Sequence, residues 1–252
     1  MRTPITLLLL TAIACKVEVG SGTSATDTRN LEPTTSLAVA DGFDVHVQLG
    51  DLNVATVTCD DNLLDLIYVG VRGDTLEVGL KPNVSISPQT DCLIDLKVTT
   101  LPSQIEFSGS GEVVIEDPAS VERIDMSGSG EILLSEGNSA CDLEVNFSGS
   151  GKIDFGTLSG CGAVISTSGS GTITGKGELD EIEIAMSGSG EVALQDLSTK
   201  AADIALSGSG EISLWVTETV VINTSGSGDI MIYGQPEQQT VNSSGSGNVR
   251  FE

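Results

Sequence analysis

The chain has 252 residues, 36 of them acidic and 11 basic, with a single histidine and a formal charge of −25. That surplus excludes nucleic acid and anionic lipid headgroups as partners, since binding either needs clustered Lys and Arg, and leaves cations and cationic surfaces open. Eight aromatic residues and thirty glycines argue against a wide globular core and suit a thin one between closely packed strands.

Arg2 precedes an apolar run from Ile5 to Ile13 that ends in Ala12-Ile13-Ala14-Cys15. The run is about half the length a membrane-spanning helix needs. It resembles a bacterial lipoprotein signal peptide, residues 1–14, which makes Cys15 the lipidated first residue and the membrane a partner through that anchor. Ala12 stands where Leu is usual, so ordinary signal cleavage nearby is the alternative. Lys16, not Asp, follows the cysteine, which in a diderm host favours an outer-membrane address, on its periplasmic face or the cell surface. Residues 15–31 are polar and rich in Gly, Ser and Thr, the composition of a flexible tether. The domain proper is expected over 32–252.

Phe43-Asp44-Val45-His46-Val47-Gln48-Leu49 alternates apolar and polar residues, the mark of a half-buried strand. His46 falls on its polar face. With no second histidine to complete a site, it reads as a solvated residue, not a base or metal ligand. Further strands are expected at Val54–Cys59, Leu66–Val71, Thr75–Leu80 and Cys92–Val98, with a short helical turn over residues 61–65. These are expected to make the first, less regular coils of the same repeat.

From residue 108 the sequence SGSG recurs eight times, first serines at Ser108, Ser127, Ser148, Ser168, Ser187, Ser207, Ser225 and Ser244. Each copy lies 18 to 21 residues after the last, so each is one stacked unit. Counting each first serine as position 0, positions −3 and +5 are always Ile or Val. Adding −1 and +7, 28 of 32 residues are large and apolar, so odd positions face inward. Identical positions across units require parallel, in-register stacking at about 4.8 Å, a parallel β-helix of 19–20 residues per coil. A variable polar connection closes each coil. Cys141 and Cys161 both stand at −7, on the inward parity of adjacent coils, within bridging distance. Cys59 and Cys92 remain as a second pair, suiting an exported chain.

Phe43-Asp44-Val45-His46-Val47-Gln48-Leu49-Gly50-Asp51, Asp61-Asn62-Leu63-Leu64 and Gly73-Asp74-Thr75-Leu76 resemble the front half of the bacterial head-GIN domain, and the SGSG strands resemble its back half. The resemblance spans about residues 32–250 and implies a right-handed parallel β-helix in a family described as autotransporter-adhesin heads.

The chemistry is sparse. Carboxylates fall at repeating positions, notably Glu112, Glu131, Glu191, Glu211 and Asp229 at +4, as on a solvated face. Lys152 interrupts that column, and no Gly-Asp calcium pattern joins it. Trp215 and Tyr233 stand outward at +8 in adjacent coils, either as a sugar-stacking platform or as a packed corner. If alternation runs through SGSG, its serines form two outward ladders; the glycines then report backbone geometry. The expectation is an exported, lipid-anchored, noncatalytic scaffold or adhesin-like binding module of the cell envelope, without cofactor, catalytic or metal site, and with a glycan or cell-surface protein as partner. The competing readings are a polysaccharide lyase or hydrolase, since β-helices host both, and a cation- or surface-binding Ser/acidic ladder.

Overall fold

The computed structural model describes residues 16–252; the signal-peptide reading and Cys15 lie outside the described residues. In chain order the strands are β1 (Lys16–Val19), β2 (Ser24–Asn30), β3 (Ser36–Val39), β4 (Asp44–Leu49), β5 (Val54–Asp60), β6 (Ile67–Arg72), β7 (Thr75–Leu80), β8 (Val84–Ser87), β9 (Leu93–Val98), β10 (Gln104–Phe107) and β11 (Glu112–Ile115). The repeat continues with β12 (Arg123–Met126), β13 (Glu131–Leu134), β14 (Asn138–Ser139), β15 (Leu143–Phe147), β16 (Lys152–Thr167), β17 (Thr172–Met186), β18 (Glu191–Leu206), β19 (Glu211–Thr224), β20 (Asp229–Tyr233), β21 (Gln238–Ser243) and β22 (Val249–Phe251). One 3-10 turn, Leu64–Leu66, follows β5. Among the described residues, no helix is long and apolar enough to cross a membrane.

The strands stack as a parallel β-solenoid of about seven turns. Ile105 pairs with Ile124, Ile124 with Val145, and Val145 with Ile165 along one face; Val113, Ile132 and Ile153 do the same along the next. Every Ile or Val at −3 and +5 is buried except Val241 and Val249, in the last coil. Like side chains therefore stack into continuous rows along the core.

The connections are less polar than their composition suggests. Leu158, Leu197 and Val216 are buried within them, and Leu158 pairs with Gly177, which pairs with Leu197. A third parallel ladder thus closes the middle coils.

The corners explain SGSG. Their serine N–H groups carry the ladder around the bend: Ser127 donates to Phe107 and Ser129 to Gly109, and the same bonds recur up the stack. A Cβ on Gly128 would stand 1.9 Å from the Gly109 oxygen, and one on Gly130 would stand 2.0 Å from that of Gly111. Coils approach there too closely for any side chain. The large residue at −1 fills the space inside, as Phe107 does against Gly130 and Phe147 against Gly171.

The first third departs from simple coiling. β3 and β4 do form a coil, paired in parallel with β10 and β11. There Asp41, at φ 65°, takes the corner and its carbonyl accepts from Ser110. However, β6–β7 is an antiparallel hairpin, and β5 runs antiparallel to both β9 and β2. These strands cap the solenoid end. Residues 16–30 are also not a tether. β2 pairs with β5 along seven residues and β1 with β8 along four. The segment is polar because one face of β2 is exposed and the other only half-buried, and backbone pairing, not apolar burial, orders it.

Candidate binding groove

Alternation continues through the corners: all sixteen SGSG serines are exposed, and the glycines between them turn inward. The bend makes a concavity on each side of the serine ridge. The larger is an open groove of about 1260 Å³ running along the stack, lined by positions −2, −1 and 0. Its outward column at −2 reads Glu106, Asp125, Asn146, Ser166, Ala185, Ala205, Asn223 and Asn242. Beyond Asp125 that column carries no charge.

At the N-terminal mouth Glu106 is exposed, while the charge of the next coils is paired. Arg123 lies 2.6 Å from Asp125 and 2.6 Å from Glu144. Asn146 Nδ2 donates to Asp125 Oδ1 at 2.9 Å and to Glu144 Oε1 at 3.0 Å. Burial alone would raise the Asp125 pKa; Arg123 and Asn146 outweigh it and hold the carboxyl below its ordinary value. At the far end, Asn242 Nδ2 donates to Asn223 Oδ1 at 3.0 Å.

A smaller groove of about 500 Å³ lies across the ridge, at +2 to +4. It includes Glu112, Glu131 and Lys152. Lys152 bridges Glu131 at 2.8 Å and Asp154 at 3.2 Å, and the hydrogen bond to Glu131 raises its pKa. Farther up, Glu191, Glu211 and Asp229 stack in register. Among the described residues, no three His, Cys, Asp or Glu side chains converge as metal ligands.

The structure brings Trp215 and Tyr233 together. They pair across adjacent coils, ring centroids 6.4 Å apart and planes 12° apart, with Trp215 43% exposed. The rings lie nearly parallel, as a ladder of stacked side chains does. His46 sits outward on β4, 3.4 Å from Glu116. Both disulfides form: Cys59–Cys92 with Cα atoms 4.3 Å apart, Cys141–Cys161 with 4.6 Å. Their settings differ. Cys59 is buried, whereas Cys141 and Cys161 are exposed, against their inward parity. A positive φ at Asp142 (63°) breaks the alternation beside Cys141, and beside Cys161 the break falls at Gly162 and Ala163, which are both buried. Phe251 is likewise 36% exposed in the last coil, where inward parity predicts burial, while the other four phenylalanines are buried.

Sequence reasoning missed the groove. Its only signal was a run of small, uncharged residues at −2, ordinary for a solvated face until the bend makes it concave.

A family model described as "Putative auto-transporter adhesin, head GIN domain" matches residues 34–236. A solved structure from Parabacteroides distasonis, described as a "putative lipid binding protein", shares 27% identity at a TM-score of 0.84, covering 93% of this chain and all of that one. A "putative adhesin" from Parabacteroides merdae, 17% identical, superposes at 0.85 over 94% of this chain and 99% of its own. A "putative adhesin" from P. distasonis, 19% identical, also superposes at 0.85, over 94% and 100%. No curated protein matches the chain.

Proposed function

Because this chain belongs to the head-GIN family of adhesin-type domains, we propose that it is a noncatalytic binding module displayed outside the cytoplasm. The observation that carries this reading is the long open groove. Its lining repeats once per coil, as suits recognition of an extended surface or chain. Two disulfides support export, because such bonds persist in oxidising compartments. Against an enzyme stands the arrangement of the carboxylates, which fall into repeating columns and local ion pairs instead of converging on one point. We further propose that Cys15 carries the lipid anchor and that the domain stands on the outer membrane. In that case the folded body begins one residue after the anchor, at β1, and is held close to the bilayer.

Two measurements test this. Metabolic palmitate labelling of the full chain should be lost in Cys15→Ser; label retained by that variant would remove the anchor. The domain should also be retained on a glycan array or on lipid-coated supports, the latter included because one similar structure is described as lipid-binding, without turning over any polysaccharide offered. Turnover without retention would reverse the assignment in favour of a lyase or hydrolase.

A further inference from the structure

We infer that the large groove takes an uncharged polysaccharide chain laid along the solenoid axis; this rests on the binding-module reading and names its ligand class. From Asn146 to Asn242 the floor column is Asn, Ser, Ala, Ala, Asn and Asn. Six coils make five spacings, ~24 Å of neutral floor. None of the chain's 36 acidic residues stands on this stretch of floor. Two residues before Ala185 and Ala205, on the same outer face, are Glu183 and Asp203, both exposed.

The charge pattern narrows the ligand. A net charge of −25 repels anionic glycans, and a cationic ligand finds no carboxylate on the floor beyond Asp125. What the groove presents, once per coil, is an exposed hydroxyl from the serine ridge, joined at four coils by a side-chain amide or hydroxyl on the floor. These are donors and acceptors matched to sugar hydroxyls. The methyls of Ala185 and Ala205 leave an apolar strip between them for the C–H face of a ring.

The same features disfavour two other occupants. An acyl chain would meet apolar lining such as Val241 and Met186, but it would also cover the ridge hydroxyls and floor amides without pairing them, which costs free energy. An extended peptide of the strand-adding kind needs a sheet edge, whereas this groove crosses the strands and offers none.

The test is affinity electrophoresis of residues 16–252, the whole of the described fold, through gels cast with galactomannan, xyloglucan or laminarin, and with polygalacturonate as the anionic comparison. A parallel flotation assay uses phosphatidylcholine vesicles. Retardation is expected in at least one neutral gel. It should weaken about tenfold or more in Ala185→Glu/Ala205→Glu, which places buried charge in the contact. Ala193→Glu, on the outer face across the ridge, should migrate as the parent, and melting curves of both variants establish that they fold. No retardation in any neutral gel, or equal retardation of the floor variant, overturns the inference. Retardation only by polygalacturonate, or flotation with vesicles alone, also overturns it while leaving a binding module in place. New reducing ends in a neutral gel would leave the ligand class standing and overturn the noncatalytic reading instead.

Discussion

At the scale of single residues, the corner glycines and their serines have opposite burdens. A Cβ on Gly188 would meet the Gly169 oxygen at 1.9 Å, so Gly188→Ala must push two coils apart. It should cost about 1–3 kcal/mol in guanidinium unfolding, as overpacking does. Ser187→Ala, exposed beside it, should fall within about 0.5 kcal/mol of the parent. Asp60 carries a different burden. It is fully buried where the N-terminal segment meets the cap. Burial alone would raise its pKa, but backbone N–H groups of Gln89, Thr90 and Gly22 donate to it and hold it below its ordinary value. A depressed carboxyl pKa stabilises the fold above the unfolded value of about 3.9, and that contribution is lost as pH falls through the folded value. Amide exchange at Gly22, Gln89 and Thr90 should therefore accelerate, relative to intrinsic rates, when pH is lowered below about 4. Unchanged protection at pH 2.5, well under that ordinary value of about 3.9, would show that the carboxylate does not hold this junction.

At the scale of elements, the N-terminal strands act as a cover. β2 lies along β5 and presents a polar, charged edge; without it the open edge passes to the more apolar β5, which pairs more readily with other chains. Deleting residues 16–30 should leave a folded solenoid that self-associates, visible as a rise in mass by light scattering; a monodisperse product would mean that β5 needs no cover. The disulfides work at the same scale. Cys141–Cys161 closes a 20-residue separation, so Cys141→Ser/Cys161→Ser should lower stability by about 3 kcal/mol in the chain-entropy account. The repeat was legible because Ile and Val at −3 and +5 recur with the corner, and stacking turns that recurrence directly into register. Strand direction in the cap was not legible. Val54–Asp60 and Ile67–Arg72 alternate as any half-buried strand does, and alternation does not say which way a neighbour runs. Residues 16–30 have the composition of a tether because an edge strand with one exposed and one half-buried face needs no apolar stripe. The exposed setting of Cys141 escaped parity counting because Asp142 adopts a positive φ, which reverses the side-chain sequence.

At the scale of the whole molecule, charge works against compactness. Glu191, Glu211 and Asp229 stack one coil apart, and the chain as a whole stands at −25. Raising ionic strength from ~0.01 to ~0.15 M shortens the Debye length from about 30 to about 8 Å. The melting temperature should rise across that interval; a flat response would mean that local pairs such as Lys152 with Glu131 already balance the field. The groove belongs to this scale too, since no single coil contains it and only the stack gives it length. Because each corner is the template for the next, coils are interchangeable parts. In-frame duplication of the gene segment encoding one unit would insert a layer ~4.8 Å thick between existing coils and leave the cap untouched. The reach of the groove is thus a heritable length, adjustable in whole steps by copying errors, without any new fold having to be invented.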